Sequence, residues 1–569
     1  MLTKIGQFLK RNALLIFIVV MGITYRSYGI YFDFPAGINA IWDETYGMAY
    51  LIDLFHYKNI FLAKGSYPIF LPIIYAPVLA LRLLYLMLIN DLNSVKDLYD
   101  FLIVNGMGHV YIVGRWFAIF FGAVTILLVY KTAKFIFKNR VSGYLAAAAY
   151  AVSPALVAMA HWGKVHTAMV FFILLSQYFA LIYEENKKIK FFYLSVLASA
   201  LSIGVHQLGV TSIIFPLAAL AFNWRKLNIK IIGKSFMIAL FAILFFYLPN
   251  IKGLENMFVR DTGRIADNGF LGMYPTHGFE RFTYIWHDSF SVESIFVILF
   301  IVIMLFQGRM LWKNMLTRYI LIGLAFNYFL MSTVFAAPSV IRMMLTFLTL
   351  VIILSAGYFA SFIYRLSINK KIILFIFFIM LLPDIYFSYK WNRMLDAYTR
   401  NETVEWLKEN LKSDENVYSF DLYIDAPFSY EAAKWQIEKN GLTDSKKVNY
   451  ILAHKEEYRE KGVNLMYDMG FKRLEELAGE NTKYLVFAYW ESGEREKRYD
   501  IPTKEGINKV IGEVEKHHEL RLAKTFYPTD NKSLIQSGVD DYLNNPINLL
   551  PLIYLDKCGP TVEVYEVIN

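Results

Sequence analysis

Cysteine is almost missing. Cys558 is the single one in 569 residues, so no internal disulfide framework holds the fold. Charge is also sparse, at 18% of residues against 56% hydrophobic, and the mean hydropathy is +0.39. A soluble globule of this length has no use for so much apolar surface, because a single core stops growing and the chain divides into domains. The sequence has no glycine-rich phosphate loop, nucleophile elbow or zinc-knuckle spacing, which argues against chemistry driven by ATP or a soluble nucleotide. It shows no internal repeat and no low-complexity tract. The basic lead "MLTKIGQFLKRNALLIFIVVMGITY" has no clean small-x-small cleavage site and reads as a retained signal anchor.

What the sequence does have is a series of apolar runs, many near twenty residues, as expected of helices that cross a bilayer. They lie at about 13–32, 67–90, 116–137, 142–161, 167–183, 192–207, 208–222, 231–249, 293–311, 318–336, 342–364 and 372–388. The net charge of +9 raises the question of nucleic acid, and its placement answers it. Most Lys and Arg of the first 390 residues sit in short loops between apolar runs, as the positive-inside rule requires. If every run crossed, the loop "KTAKFIFKNR" would lie on the wrong side. The run "YPIFLPIIYAPVLALRLLYLMLIN" carries Pro68, Pro72 and Pro77, and proline removes a backbone donor and disrupts the preceding turn. This run is therefore expected not to cross but to lie along the outer face. The loops "KTAKFIFKNR", "EENKKIK", "NWRKLNIK", "QGRMLWKNMLTR" and "RLSINKK" then fall together on the cytoplasmic side. The expectation is a polytopic α-helical protein with about eleven transmembrane helices, N-terminus in, and a long first outer loop at 33–115. Residues 391–569 change composition. "NETVEWLKENLKSDENVYSFD" reads as a helix and then a strand, "TKYLVFAYW" and "PTVEVYEVIN" as strands, and "KEGINKVIGEVEKHHEL" as a helix. A soluble, extracytoplasmic α/β domain is expected there.

The first outer loop contains "FPAGINAIWDETYGMAYLID". Asp43 and Glu44 are adjacent carboxylates at a membrane surface, well placed to take a proton from a hydroxyl. The competing reading makes Asp43 an N-cap and Glu44 a first-turn residue favoured by the helix dipole. Lys64, Arg115 and Arg342 lie at outer positions, against the positive-inside bias. A lipid phosphate is a natural partner, since Arg binds phosphate through parallel hydrogen bonds; snorkelling to headgroups is the alternative. Arg26 could join them. "HWGKVH" places His161, Lys164 and His166 in one short outer loop, a spacing open to a divalent metal, to phosphate donors or to neither. His206 and Gln207 stand at a break between two runs and could line a cavity or cap a half-helix.

These stretches resemble the polyprenyl-phosphate-sugar-dependent glycosyltransferases of the GT-C class, in particular protein O-mannosyltransferases and aminoarabinose transferases. The likeness rests on "WDETYGMAY", "KGSYPIFLPIIYAP", "GRWFAIFFGAVTILLVYKTAKFIF", "SGYLAAAAYAVSPALVAMAHWGKVHTAMVFFILL", "IRMMLTFLTLVIILSAGYF" and the tail opening "NETVEWLKENLKSDENVY", over about residues 10–420. It implies a GT-C-like domain at 1–390 with Asp43 as catalytic base, supported by Glu44, and with Lys64, Arg115 and Arg342 holding the donor phosphate. His161, Lys164, His166 and His206 are candidates for the cavity or acceptor site. Two departures are His166, where members often carry an acid, and "HQLG" in place of Lys-Gly. The implied reaction moves a sugar from a polyprenyl-phosphate carrier to a lipid, glycan or protein acceptor with inversion. It takes place on the outer face of the plasma membrane, without nucleic acid and without a certain cofactor. A multi-pass transporter or flippase is the rival reading, though it would need paired half-helices and repeats; a non-catalytic scaffold is another.

Overall fold

The computed structural model describes residues 2–32, 51, 68–105, 108–225, 228–250, 280–333, 341–365, 370–412, 414–420, 429–440, 446–458, 463–467, 481–489, 504–530 and 553–568. The helical part runs α1 (Leu2–Ser27), α2 (Phe70–Ile89), α3 (Val95–Asn105), α4 (Gly108–Phe137), α5 (Arg140–Val152), α6 (Pro154–His161), α7 (His166–Asn186) and α8 (Ile189–Val205). A 3-10 turn (Gln207–Ile213) follows, then α9 (Ile214–Asn223), α10 (Ile229–Tyr247), α11 (Glu280–Lys313), α12 (Met315–Thr333), α13 (Ile341–Arg365) and α14 (Lys370–Met394). Among the described residues, seven helices are long and apolar enough to cross a membrane, and α5 with α6 form a pair bent by 53° that is long and apolar enough to cross as one broken span or to re-enter as a loop. Three shorter apolar helices accompany them.

α4, α7 and α13 are largely buried, whereas α2 and α10 turn most of their apolar surface outward. This division separates a bundle centre from a lipid-facing rim, since an apolar helix gains nothing from hiding its side chains from lipid. In "LAAAAYA" of α5, Ala146, Ala147, Ala149 and Ala151 are buried, and their small size lets α4 and α13 pack closely against that helix. The bend comes from Pro154, which has no N–H to continue the ladder. Ser153 turns the break into a new start, its Oγ accepting from Leu156 N.

The proline reading of the run after Pro68 needs correction. Pro68 precedes α2, Pro72 falls in its first turn, where proline is tolerated, and only Pro77 is interior. The helix is continuous, and by length and composition it is one of the seven candidate spans. Its partners nevertheless keep it to one end of the bundle. Tyr75 packs on Phe117, with ring centroids 4.5 Å apart, and Arg82 Nη2 lies 3.4 Å from His109 Nδ1. α2 thus climbs along the first third of α4 towards the start of that helix, and α3 then packs against a helix of the tail.

The tail adds α15 (Thr399–Asn410), α16 (Tyr430–Asn440), α17 (Lys446–Ala453), α18 (Lys455–Tyr458) and α19 (Lys504–Val514). Its strands are β1 (Asn416–Ser419), β2 (Asn464–Tyr467), β3 (Thr482–Tyr489), β4 (Glu519–Phe526) and β5 (Thr561–Ile568), in the order β2-β1-β3-β5-β4. β1 pairs in parallel with β2 and β3, while β5 runs antiparallel to β3 and β4. Side chains alternate across the sheet. Val417, Val486, Val562 and Val564 face α15, and Tyr418, Leu485 and Phe487 face α16 and α19. The tail roots on the bundle where α14 ends. Tyr398 bridges to Cys558, Thr399 N donates to the Cys558 carbonyl (3.0 Å), and Leu555 and Cys558 join the bundle core.

Candidate functional site

α1, α6, α8 and α14 finish at the end of the bundle where α4, α7 and α13 begin, and the basic residues collect there. Arg26 lies in the last turn of α1 and is fully buried. Its Nη1 donates to the carbonyls of Gly22 (3.0 Å) and Ala151 (2.7 Å), and its Nη2 to that of Tyr150 (3.0 Å). Tyr150 and Ala151 close α5, whose last carbonyls lose their helical partners at the break. The third orphan, the Val152 carbonyl, accepts from Ser388 Oγ (2.7 Å). The Arg26 guanidinium therefore serves the broken helix. Gly122 makes room for it, since a Cβ there would stand 2.9 Å from Arg26 Nε.

Arg115, on α4, is buried. Its Nη1 donates to the carbonyls of Ile30 (2.7 Å) and Phe32 (2.9 Å), and its guanidinium lies 4.0 Å from the centre of the Phe32 ring. It thereby fixes the point where the chain leaves α1 for the first loop. Gly114 beside it lets α4 approach the 162–165 turn, with the Gly163 carbonyl 3.2 Å from where a Cβ would sit. Asp43, Glu44 and Lys64 lie outside the described residues.

The four residues of the candidate cavity separate into two kinds. His161 ends α6 with Nδ1 2.9 Å from the Val157 carbonyl and Nε2 2.6 Å from that of Tyr28. Both ring nitrogens are engaged by backbone, so His161 pins α6 to the end of α1. Lys164, His166 and His206 instead converge. Lys164 is buried, with Nζ 4.5 Å from the centre of the Trp162 ring. His166 opens α7 and faces His206 with ring centroids 5.0 Å apart. His206, Lys164 and Arg342 all act electrostatically on His166, and Arg342 acts on His206 as well. Arg342 stands in the first turn of α13.

His206 also caps the 3-10 turn, its Nδ1 accepting from Leu208 N at 3.1 Å. In the neutral ring the proton therefore sits on Nε2. The "HQLG" sequence builds this break. Gly209 folds so tightly that a Cβ would come within 2.2 Å of the Ser202 carbonyl, which only glycine accommodates. The sequence offered a cavity or a cap for His206, and the ring does the capping while facing His166.

Among the described residues neither ring nitrogen of His166 has a hydrogen-bond partner, although the side chain is buried. Such a group calls for an explanation. An imidazole flanked by an ammonium and a guanidinium suits an anion or a hydroxyl entering from the loop side. Among the described residues no three His, Cys, Asp or Glu gather as metal ligands, so the metal reading of "HWGKVH" finds no such cluster here: His161 is turned away to α1.

An apolar groove of about 770 Å³ runs along α11, α12 and α13, lined by Phe300, Met304, Leu324, Tyr328 and Phe347 among others. Phe347 lies five residues beyond Arg342 on α13, about 7.5 Å along the axis.

Residues 101–251 match the family described as dolichyl-phosphate-mannose-protein mannosyltransferase. The matched stretch contains Arg115, the 161–166 turn and His206, and it meets the resemblance read from the sequence. No curated protein matches the chain. Among solved structures, the oligosaccharyltransferase of Archaeoglobus fulgidus in its apo form aligns at TM-score 0.45 and 10% identity, over 98% of this chain and 88% of that one. The same enzyme in complex with zinc and sulfate aligns at 0.45 and 12%, over 97% and 88%. In complex with an inhibitory peptide and a dolichol-phosphate it aligns at 0.44 and 11%, over 99% and 89%.

Proposed function

We propose that this protein is an integral-membrane glycosyltransferase that moves a sugar from a polyprenyl-phosphate carrier to a lipid, glycan or protein acceptor, with inversion at the anomeric carbon. The observation that carries the reading is the cluster of buried Lys164, His166 and His206 with half-buried Arg342, in which His166 has no hydrogen-bond partner among the described residues, at the bundle end where α1 gives way to the first loop. The family match over residues 101–251 supports it. The apolar groove along α11, α12 and α13 is suited to a polyprenyl chain.

In this mechanism Arg342, with Lys64 from the first loop, holds the donor phosphate and stabilises the charge gained as the phosphate oxygen leaves the sugar. Arg115 positions the root of the loop. Asp43, supported by Glu44, draws the proton from an acceptor hydroxyl as its oxygen attacks the anomeric carbon. His166 receives the entering anion or hydroxyl. No nucleotide is needed, which suits an extracytoplasmic face. The basic loops and the N-terminus lie on the cytoplasmic side in this reading, α2 stays on the outer side, and residues 391–569 form an extracytoplasmic domain.

The test is transfer by detergent-purified protein from labelled polyprenyl-phosphate sugars, wild type against Asp43→Asn. The substitution keeps size and removes the base, so transfer should fall by roughly a hundred- to ten-thousand-fold with donor binding nearly intact. A capping role predicts instead about 1 kcal/mol of lost stability and unchanged turnover per folded molecule, which would end the catalytic assignment of Asp43.

A further inference from the structure

Two broken helices and a third that carries an internal proline meet around Ser153, below the basic cluster. The first is the α5–α6 break itself. The second is α11, whose backbone leaves helical geometry at Glu293, with φ −142° and ψ 43°. The third is α14, which carries Pro383 inside its length. Two acids stand at these interruptions. Ser153 Oγ donates to Glu293 Oε1. Ser388, one turn beyond Asp384 on the same face of α14, reaches the Val152 carbonyl, which brings Asp384 to the same break. The charges of Asp384 and Glu293 act on each other.

Both carboxyls are buried, and among the described residues Glu293 Oε2 and Asp384 Oδ2 each lack a hydrogen-bond partner. Among the described residues no Lys, Arg or His acts on either. The buried base nearest along the broken helix, Arg26, spends both its Nη atoms on the carbonyls of Gly22, Tyr150 and Ala151. A buried carboxylate without a counter-charge is costly, and two whose charges act on each other cost more. An acid within an apolar span is an expensive feature that marks function. The donors present are all oxygen, two carboxylates and a hydroxyl, which suits hard cations such as Mg²⁺, Mn²⁺ or Ca²⁺. Mg²⁺ in particular is often held by one or two carboxylates.

We propose that Glu293, Asp384 and Ser153 form a site for a hard divalent cation that ties the α5–α6 break to α11 and α14, apart from the cluster around His166. The cation neutralises the two carboxylates and holds the two breaks and α14 in one arrangement beneath the candidate site.

The experiment uses full-length protein in detergent, stripped with EDTA and titrated with Mn²⁺. Bound Mn²⁺ is read by electron paramagnetic resonance, and the unfolding midpoint is followed in parallel. Wild type should bind Mn²⁺ and unfold at a higher temperature with it, and Mg²⁺ or Ca²⁺ should compete. Glu293→Gln and Asp384→Asn should each lose at least tenfold in Mn²⁺ affinity together with the metal-dependent rise, whereas Asp43→Asn should keep both. Ser153→Ala leaves both carboxylates in place and should weaken Mn²⁺ binding even where an amide variant fails to fold. A wild type indifferent to Mn²⁺ overturns the site without recourse to any variant. Equal stability of wild type and both amide variants, independent of metal, overturns it as well, because the pair is then closed by a shared proton. A Mn²⁺ effect lost only in Asp43→Asn places the ion elsewhere and also overturns it.

Discussion

Replacing Arg26 by alanine tests how the bundle tolerates its broken span. The guanidinium makes two bonds from α1 to α5, to the carbonyls of Ala151 and Tyr150 at 2.7 and 3.0 Å, besides one within α1. A hydrogen bond to a charged group contributes about 1.5–3 kcal/mol in soluble proteins, and interhelical bonds in membranes about 0.6–2 kcal/mol. Two of them give roughly 1–6 kcal/mol. The lower part of that range is countered by the relief of unburying a charge, while the upper part is reinforced by the space left against Gly122. We expect a loss of about 3 kcal/mol for Arg26→Ala, measured by reversible SDS titration in mixed micelles. Arg26→Lys should recover part of it, since an ammonium reaches fewer carbonyls at once. Donor affinity per folded molecule should stay close to wild type. A variant within 1 kcal/mol of wild type would refute the reasoning, as would a stable protein that has lost donor binding. The latter result would return Arg26 to the phosphate role that its position in the sequence allows.

Arg342→Ala should weaken donor binding by roughly 1.5–3 kcal/mol, the worth of a lost charge-assisted bond, or about ten- to a hundredfold, in a binding assay with a labelled polyprenyl-phosphate sugar. Cysteines engineered at Ser94 and Asn105 should react with an impermeant reagent from outside intact cells, because α2 keeps to one end of the bundle; the native Cys558 is buried and contributes little background. In the tail, Glu566 on β5 pairs with Lys483 (2.7 Å) and Arg521, and hydrogen bonds from these two hold its carboxyl below the usual value of 4.5. A depressed folded value stabilises above the unfolded one and is lost as pH falls through it. Hydrogen exchange of β4 and β5 should therefore quicken relative to a Glu566→Gln reference as pH drops below about 4.5, and parallel profiles for the two proteins would remove the pair from any acid-side role.

Much of the architecture was legible because it depends on periodicity and composition alone. Apolar runs near twenty residues mark helices wherever they fall, since only a closed hydrogen-bond ladder survives in lipid. The continuous apolar run "YLVFAY" marks a strand covered on both faces. The break at Ser153-Pro154 is written in the proline. Other features were visible but their meaning was not. The three prolines near α2 suggest breakers in the sequence, yet two sit where a helix tolerates them, and the helix is kept at one end by Phe117 and His109 rather than by its own sequence. His161 and His166 share one short turn in the chain, yet one ring is spent on the carbonyls of Val157 and Tyr28 while the other is left open.

The sequence by itself determined that this chain forms apolar helices with basic loops on one side, followed by a mixed α/β tail, because hydrophobic spacing and charge placement are local properties. Tertiary structure alone decided which polar side chains serve the fold and which remain available. Arg26, Arg115 and His161 are consumed by carbonyls contributed from residues 83 to 133 positions away, and the buried acids Glu293 and Asp384 are brought to the α5–α6 break from separate helices. No local pattern records these pairings. They arise where helices break, because a broken ladder leaves carbonyls that some distant side chain must satisfy.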